Sequence, residues 1–206
     1  MGARTVAFQA LLAGEKQGAW PDGFLKKAIR SAGLDSRDGA LCTRLVFGVL
    51  QNRRLLDCYL SGLSKTPLEK LELPVLEILR LGAYQILFLD RVPDRAAVNE
   101  AVEETRRRAR NPRASGMVNG ILRNLSRRKE ELTPPADLGV RYSHPDWLVE
   151  GFTERLGEET EALLAADNGQ PPTCAQVNTC KGDTLSLMEE LRTAGVEVQP
   201  HPWLPD

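Results

Sequence analysis

The sequence predicts an all-α domain, followed by linker helices and an incomplete β-α-β unit. Three observations carry this. Apolar residues recur at helical spacing, with no strand-like alternation, through residues 1–130. A proline-rich connector, Leu132–Gly139, then interrupts the pattern. Beyond Pro171-Pro172, short apolar runs flank one amphipathic stretch. The boundaries drawn are 1–130 for the helical domain, 131–170 for a linker with helices, and 171–206 for the start of a second domain.

Each element has a local reason. Residues 4–13 read as a short helix ending near Gly14. Asp22 can cap a second helix whose apolar side holds Phe24, Leu25, Ala28 and Ile29. Asp35-Ser36 can cap one long helix, because Leu41, Leu45, Val46, Val49, Leu50, Leu56, Tyr59, Leu60 and Leu63 keep a single stripe. Pro74 to Leu87 is apolar on most sides, which predicts a central helix. Pro93 breaks the chain before the amphipathic stretch Ala96–Arg110. Val118, Ile121, Leu122 and Leu125 mark the next helix. Two linker helices are expected, one from Pro145 and one over Glu158–Asp167. At the end, strands are expected at Cys174–Val177 and Val196–Val198, around a helix at Thr184–Ala194. Such a unit is too small to fold alone, so the chain is expected to be the front part of a longer protein.

The net charge of −1 hides a division. Residues 1–130 hold 23 Lys and Arg against 14 Asp and Glu, a balance of +9. Residues 131–206 hold 4 against 14, a balance of −10. A basic helical part suits a polyanion, nucleic acid above all. Aromatic residues lie mostly on apolar stripes, which argues against a base-stacking module. No apolar run is long enough to span a membrane. The four cysteines show no CxxC spacing and the two histidines lie far from them, so free thiols and no metal site are expected.

Two basic clusters stand out. In the first, Glu103 precedes Arg107 by four residues and Glu104 precedes Arg108 by four, the favourable order for helical ion pairs. Those pairs account for Arg107 and Arg108. Arg106 and Arg110 are left like-charged on one face, with Arg113 close by. The second cluster holds Arg123, Arg127, Arg128 and Lys129, with Arg123 and Arg127 four apart and off the apolar stripe. Lys26, Lys27, Arg30, Arg53 and Arg54 add further charge. The residues assigned to RNA contact are Arg4, Arg106, Arg110, Arg113, Arg123, Arg127 and Arg128. Asn99 and Asn119 sit in apolar helical contexts and are expected to tie helix ends or loops together. Gly116 and Gly120 are expected to permit close helix packing.

The segments TVAFQALLA, LVFGVLQNRRLLDCYL, ILRLGAYQILFLDRVPDRAAVNEAVEETRR and ASGMVNGILRNL resemble the NusB family of RNA-binding helical domains. They span nearly all of residues 4–126. The motifs Tyr142-Ser143-His144-Pro145-Asp146-Trp147-Leu148 and Val177-Asn178-Thr179 resemble RsmB-type (Sun/Fmu) ribosomal RNA methyltransferases, where a NusB-like domain precedes the catalytic region. Gln176 and Cys180 stand where that family's pattern has Arg and Leu.

The resemblance implies the rRNA-targeting portion of an S-adenosylmethionine-dependent 16S rRNA cytosine-C5 methyltransferase. It also implies a cytoplasmic monomer whose partner is small-subunit ribosomal RNA, with no membrane role. The family's cofactor site needs a glycine-rich strand-to-helix turn, and these 206 residues contain none. Its nucleophile is a cysteine deeper in the catalytic region. Cys180 precedes any such region and is not expected to be catalytic. No catalytic, cofactor-binding or metal-binding residue is therefore assigned, and the chain alone is expected to be inactive. One alternative is a NusB-type transcription antitermination factor, which predicts a chain ending near residues 130–140. A second is a plain helical protein-interaction module, which predicts weak, salt-insensitive RNA binding.

Overall fold

A computed structural model gives the architecture and describes residues 2–18, 21–169 and 171–204. The chain forms two compact units, Met1–Asn168 and Gly169–Asp206. In the first, α1 (Ala3–Gln17), α2 (Pro21–Ser31), α3 (Ser36–Gln51) and α4 (Arg53–Leu63) are followed by α5 (Leu73–Phe88), α6 (Asp94–Arg108) and α7 (Ala114–Arg128). Then come α8 (Leu138–Arg141), α9 (Asp146–Leu156) and α10 (Thr160–Asp167). Helix α5 is the centre, packed against α1, α3, α4, α6 and α7. Its apolar composition on most sides is why: Glu77 through Ile86 are all buried. Pro74 in its first turn costs no backbone hydrogen bond.

Two glycines let neighbours approach the centre. A Cβ on Gly48 of α3 would lie 1.9 Å from Tyr84 Cζ, and one on Gly82 of α5 would lie 2.5 Å from Leu122 Cδ1 of α7. The Tyr84 ring stacks on Phe88 at 5.3 Å between centroids. The Arg-Leu-Gly-Ala-Tyr motif is therefore a packing motif. Its arginine is buried too. Arg80 donates from Nε and Nη2 to the two carboxylate oxygens of Asp57 on α4, at 2.8 and 2.6 Å, and from Nη1 to Glu77 at 2.5 Å. Burial pushes the Glu77 carboxyl above its usual range, against the opposing pull of Arg80. Burial alone would lower Arg80, and its bonds to Asp57 and the charge of Glu77 more than offset it.

Helix α1 runs past Gly14 to Gln17 and α2 starts at Pro21, ahead of the expected cap Asp22, and the structure corrects three larger expectations of fold. The single helix expected from Ser36 to Leu63 is two, α3 and α4, divided at Asn52. Asn52 Nδ2 donates back to the Gly48 carbonyl at 2.9 Å, so it does not cap α4. The apolar stripe continues across the break, which hides it from periodicity. The second correction concerns the β-α-β unit. The second unit contains α11 (Thr184–Thr193), capped by Asp183, but no strand among the described residues. None of the described residues of 171–204 is buried, so no core holds a strand ladder together. Third, Asn99 is exposed, Asn119 is half-buried, and neither side chain makes a hydrogen bond among the described residues. Neither ties a helix end.

The linker motif has a structural role. Ser143 has a left-handed backbone, φ 57°. That conformation aims its Oγ at α4, where it accepts a hydrogen bond from the Leu55 N–H at 3.1 Å. A helix start with no cap of its own is thus capped from a distant segment. Arg54 adds bonds to the His144 carbonyl and, at 2.6 Å, to Asp146. His144 Nδ1 lies 2.8 Å from the Tyr142 carbonyl, and Asn168 Nδ2 donates to the same carbonyl. Gln51 in turn donates to the Asn168 carbonyl at 3.0 Å.

Two outcomes are expected for the buried charges. Arg80→Met leaves the buried Glu77 and the half-buried Asp57 without their cation and costs about 3–5 kcal/mol, measured by urea unfolding. Glu77→Gln keeps an acceptor for Arg80, removes the surplus negative charge, and is neutral or stabilising at pH 7. The raised Glu77 carboxyl contributes stability that is full below its ordinary value of 4.5 and is lost as pH rises through its raised value. Wild-type stability should therefore fall relative to Glu77→Gln with rising pH. At the linker, Ser143→Ala removes the distant cap and should cost about 1 kcal/mol, with faster hydrogen exchange at the Leu55 amide.

Candidate nucleic-acid interface

The assigned arginines fall into three physical states. Arg4 is half-buried on α1, and its Nε donates to Gln85 Oε1 at 2.6 Å. Gln85 is itself fixed by donating to the Leu81 carbonyl at 3.0 Å. Arg106 is exposed but paired with Glu103, three residues back, at 2.5 Å. Arg128 is exposed and paired with Glu131 at 3.5 Å. Arg110, Arg113, Arg123 and Arg127 are exposed, and their side chains have no partner among the described residues.

The expected pairing within the first cluster is partly overturned. Glu103 takes Arg106 rather than Arg107. Arg107 comes only to 3.8 Å of Glu104, whereas Arg108 Nε pairs with Glu104 at 3.0 Å as expected. Spacings of three and four residues are both within reach on a helix, and rotamers decide between them. Arg108 also lies 5.6 Å from the centre of the Phe8 ring, a cation–π distance that joins α6 to α1.

The loop between α6 and α7 is held by an acid that the sequence did not single out. Both carboxylate oxygens of Glu72, just before α5, accept backbone hydrogen bonds, from Arg110 N–H at 3.0 Å and Asn111 N–H at 3.1 Å. Asn111 Oδ1 then accepts from Arg113 N–H at 3.0 Å. The backbone is pinned while the guanidiniums project outward. At the other end of the hairpin, Asp94 accepts from Ser126 Oγ at 2.8 Å and pairs with Lys129 at 3.1 Å. The only signal for Glu72 in the sequence is an acid ahead of a helix-starting proline.

Helix α7 orders the free cations. Arg113, Gly116, Gly120, Arg123 and Arg127 recur at i, i+3, i+7, i+10 and i+14, so they form one line, and all are exposed. At 1.5 Å rise per residue the line is about 21 Å long. The expectation that Gly116 and Gly120 admit a packed helix is overturned. A Cβ on either would meet nothing within 4 Å. They leave the helix surface bare between two sets of arginines.

No metal centre is available among the described residues: no group of His, Cys, Asp and Glu there could hold a metal ion. The four cysteines are free thiols, and burial pushes Cys42 up to about 11, away from reactivity. No helix among the described residues is long and apolar enough to cross a membrane.

A helical array around one buried helix, with a line of exposed arginines on its outer hairpin that have no partner among the described residues, defines a basic helical domain. The chain belongs to the NusB family, which it matches over residues 1–127. Residues 144–206 match the Methyltr_RsmF/B-like, ferredoxin-like domain. Among its relatives, "Probable ribosomal RNA small subunit methyltransferase B" of Bacillus subtilis (strain 168) is 35% identical over 205 residues, covering 95% of this chain and 45% of the relative. The protein of the same name from Synechocystis sp. (strain ATCC 27184 / PCC 6803 / Kazusa) is 34% identical over 197 residues, covering 93% and 44%. The "Ribosomal RNA small subunit methyltransferase B" of Escherichia fergusonii is 32% identical over 174 residues, covering 84% and 40%. The chain thus spans less than half the length of these relatives. Among solved structures, PH0851 superposes with a TM-score of 0.67 at 19% identity, covering all of this chain and 47% of that one. T. maritima NusB gives 0.56 at 26% identity, covering 63% of this chain and 95% of that one.

The Glu72 clamp has a direct test. Glu72→Ala should leave the helices intact by circular dichroism. It should speed hydrogen exchange at the Arg110 and Asn111 amides, with α5 unaffected beyond its first turn.

Proposed function

We propose that this chain is the RNA-targeting part of an S-adenosylmethionine-dependent small-subunit ribosomal RNA cytosine-C5 methyltransferase. The observation that carries this reading is the pairing of two matches on one chain, the NusB family over 1–127 and the RsmF/B-like domain over 144–206. The names of the relatives supply the substrate class. In this reading residues 1–130 hold the RNA, residues 131–170 connect, and residues 171–206 begin the methyltransferase part. The protein works as a cytoplasmic monomer.

RNA phosphates lie along the α7 line, on Arg113, Arg123 and Arg127, with Arg110 beside them. Arg106 and Arg128 exchange an exposed carboxylate for phosphate at little cost, since such pairs are worth about 0–1 kcal/mol. Arg4 contributes less, because its Nε is committed to Gln85. Contacts of this kind fix position more than base identity. The residues present do not fit the cofactor: the sequence has no glycine-rich turn for it, so no step of methyl transfer is assigned to these residues. A transcription antitermination role is less supported, because it leaves residues 144–206 without a purpose.

Fluorescence anisotropy with a labelled small-subunit rRNA transcript across a salt series tests this. Affinity should fall steeply with salt. Arg123→Gln with Arg127→Gln should reduce the log–log slope by roughly one for each phosphate no longer neutralised. Flat salt dependence would point instead to a protein-interaction module. Purified 1–206 supplied with labelled S-adenosylmethionine should transfer no methyl group to the same RNA.

A further inference from the structure

The outer face of α3 carries a second line of exposed residues that the reading above does not use. Arg37, Ala40, Arg44, Phe47 and Gln51 recur at i, i+3, i+7, i+10 and i+14, and all are exposed. Arg37 and Arg44 have no side-chain partner among the described residues. The ordinary explanations for a surface arginine fail at both. Arg44 has Ala40, Leu41, Phe47 and Gly48 at its helical neighbour positions, so no carboxylate lies three or four residues away. Arg37 sits in the first turn of α3, where the helix dipole disfavours a cation.

Phe47 is 40% exposed on the same line, one turn from Arg44. On the same helix Leu45, Val46 and Val49 are buried and Leu41 and Leu50 half-buried, which makes this exposed ring an exception. On the preceding helix, Lys27 and Arg30 are exposed with no partner among the described residues. Arg30 lies in the last turn of α2 and Arg37 in the first turn of α3, so the two flank the short turn 32–35. Ile29 packs against α3 at Gly39, where its Cγ2 would lie 3.3 Å from an added Cβ, which fixes the two helices together.

We propose that this α2–α3 face is a second RNA contact, separate from the α7 line. Arg37, Arg44, Lys27 and Arg30 take phosphates, and Phe47 stacks on an unpaired base. Charge complementarity selects the occupant: exposed cations with no partner among the described residues, on two adjacent helices, and one exposed ring on the α3 line suit a single-stranded stretch of RNA, which offers phosphates and open base faces together. An apolar protein partner would leave those cations unpaired. Arg37 and Arg44 are about 10 Å apart along the helix axis, which suits successive contacts to an extended strand rather than one bidentate site. This inference rests on the RNA-binding reading above.

The test uses the whole chain with the labelled small-subunit rRNA transcript, comparing wild type, R37Q/R44Q, F47A and R123Q/R127Q after circular dichroism has shown each folded. R37Q/R44Q should lower the log–log salt slope by about 1.4–1.8, the value for two phosphates. F47A should weaken binding roughly fivefold or more with the slope unchanged, as removal of a stack predicts. If R37Q/R44Q and F47A bind like wild type while R123Q/R127Q weakens, the α3 face has another occupant and the proposal is overturned, with RNA binding through α7 intact. If wild type does not bind the transcript, both readings fall.

Discussion

The rest of the structure depends on placing a charge inside the central helix. Arg80 is buried in α5, between Glu77 on its own helix and Asp57 on α4. A guanidinium there is tolerable only if α4 delivers the Asp57 carboxylate in bidentate geometry, because an unpaired buried charge costs several kcal/mol. Such an arrangement adds little net stability over an apolar one. What it does is penalise every packing of α4 against α5 that separates Asp57 from Arg80. The two glycine contacts act in the same direction. Tyr84 fits only over Gly48, and Leu122 only over Gly82, so α3 and α7 each have a defined seat on α5.

That fixed interior explains the state of the surface. With α4 seated, its open N-terminus becomes the place where the linker docks, through the Ser143 cap and the Arg54 contacts. With α7 seated by Leu122 and by the Asp94 contacts at its far end, the opposite side of that helix faces outward along its length. Glu72 holds the loop before α7 by its backbone alone, so it neutralises none of the nearby side chains at close range. The buried Arg80 has its partners, whereas a set of exterior arginines has none among the described residues.

Much of this is legible in residue patterns, and the failures have physical causes. The helical stripes and the Asp35 cap, which accepts from Asp38 N–H at 2.7 Å, follow from spacing and residue type. The centrality of α5 follows from its apolar composition. The break at Asn52 does not, because α3 and α4 turn their apolar sides to one core and the stripe runs on. Helical ion pairs are misassigned from sequence because position alone does not choose between Arg106 and Arg107 for Glu103. Strands are expected where short apolar runs flank the amphipathic stretch, but a strand needs a paired neighbour, and the described residues of 171–204 bury nothing to hold one. Gly116 and Gly120 have the spacing of a packing surface, though spacing cannot say whether a face looks inward or outward. The place of each assigned arginine is a property of the fold. Which of them a phosphate ligand would reach is a property of the complex.

The division between paired and free cations ranks them energetically for any phosphate ligand. A free exposed arginine loses only its own hydration and rotamer freedom on contact. An exposed pair such as Arg106 with Glu103 loses little more, because the pair is screened by water and by salt. Arg4 differs in kind. Its Nε bond to Gln85 is partly buried, and breaking it leaves a side-chain amide oxygen beside the core with nothing to accept from. Bringing a phosphate to Arg4 therefore has to use its remaining guanidinium nitrogens and leave Nε in place. The same bond holds the guanidinium in one orientation, so such a contact at α1 is directional, whereas Arg123 and Arg127 are free to follow a ligand's position along α7.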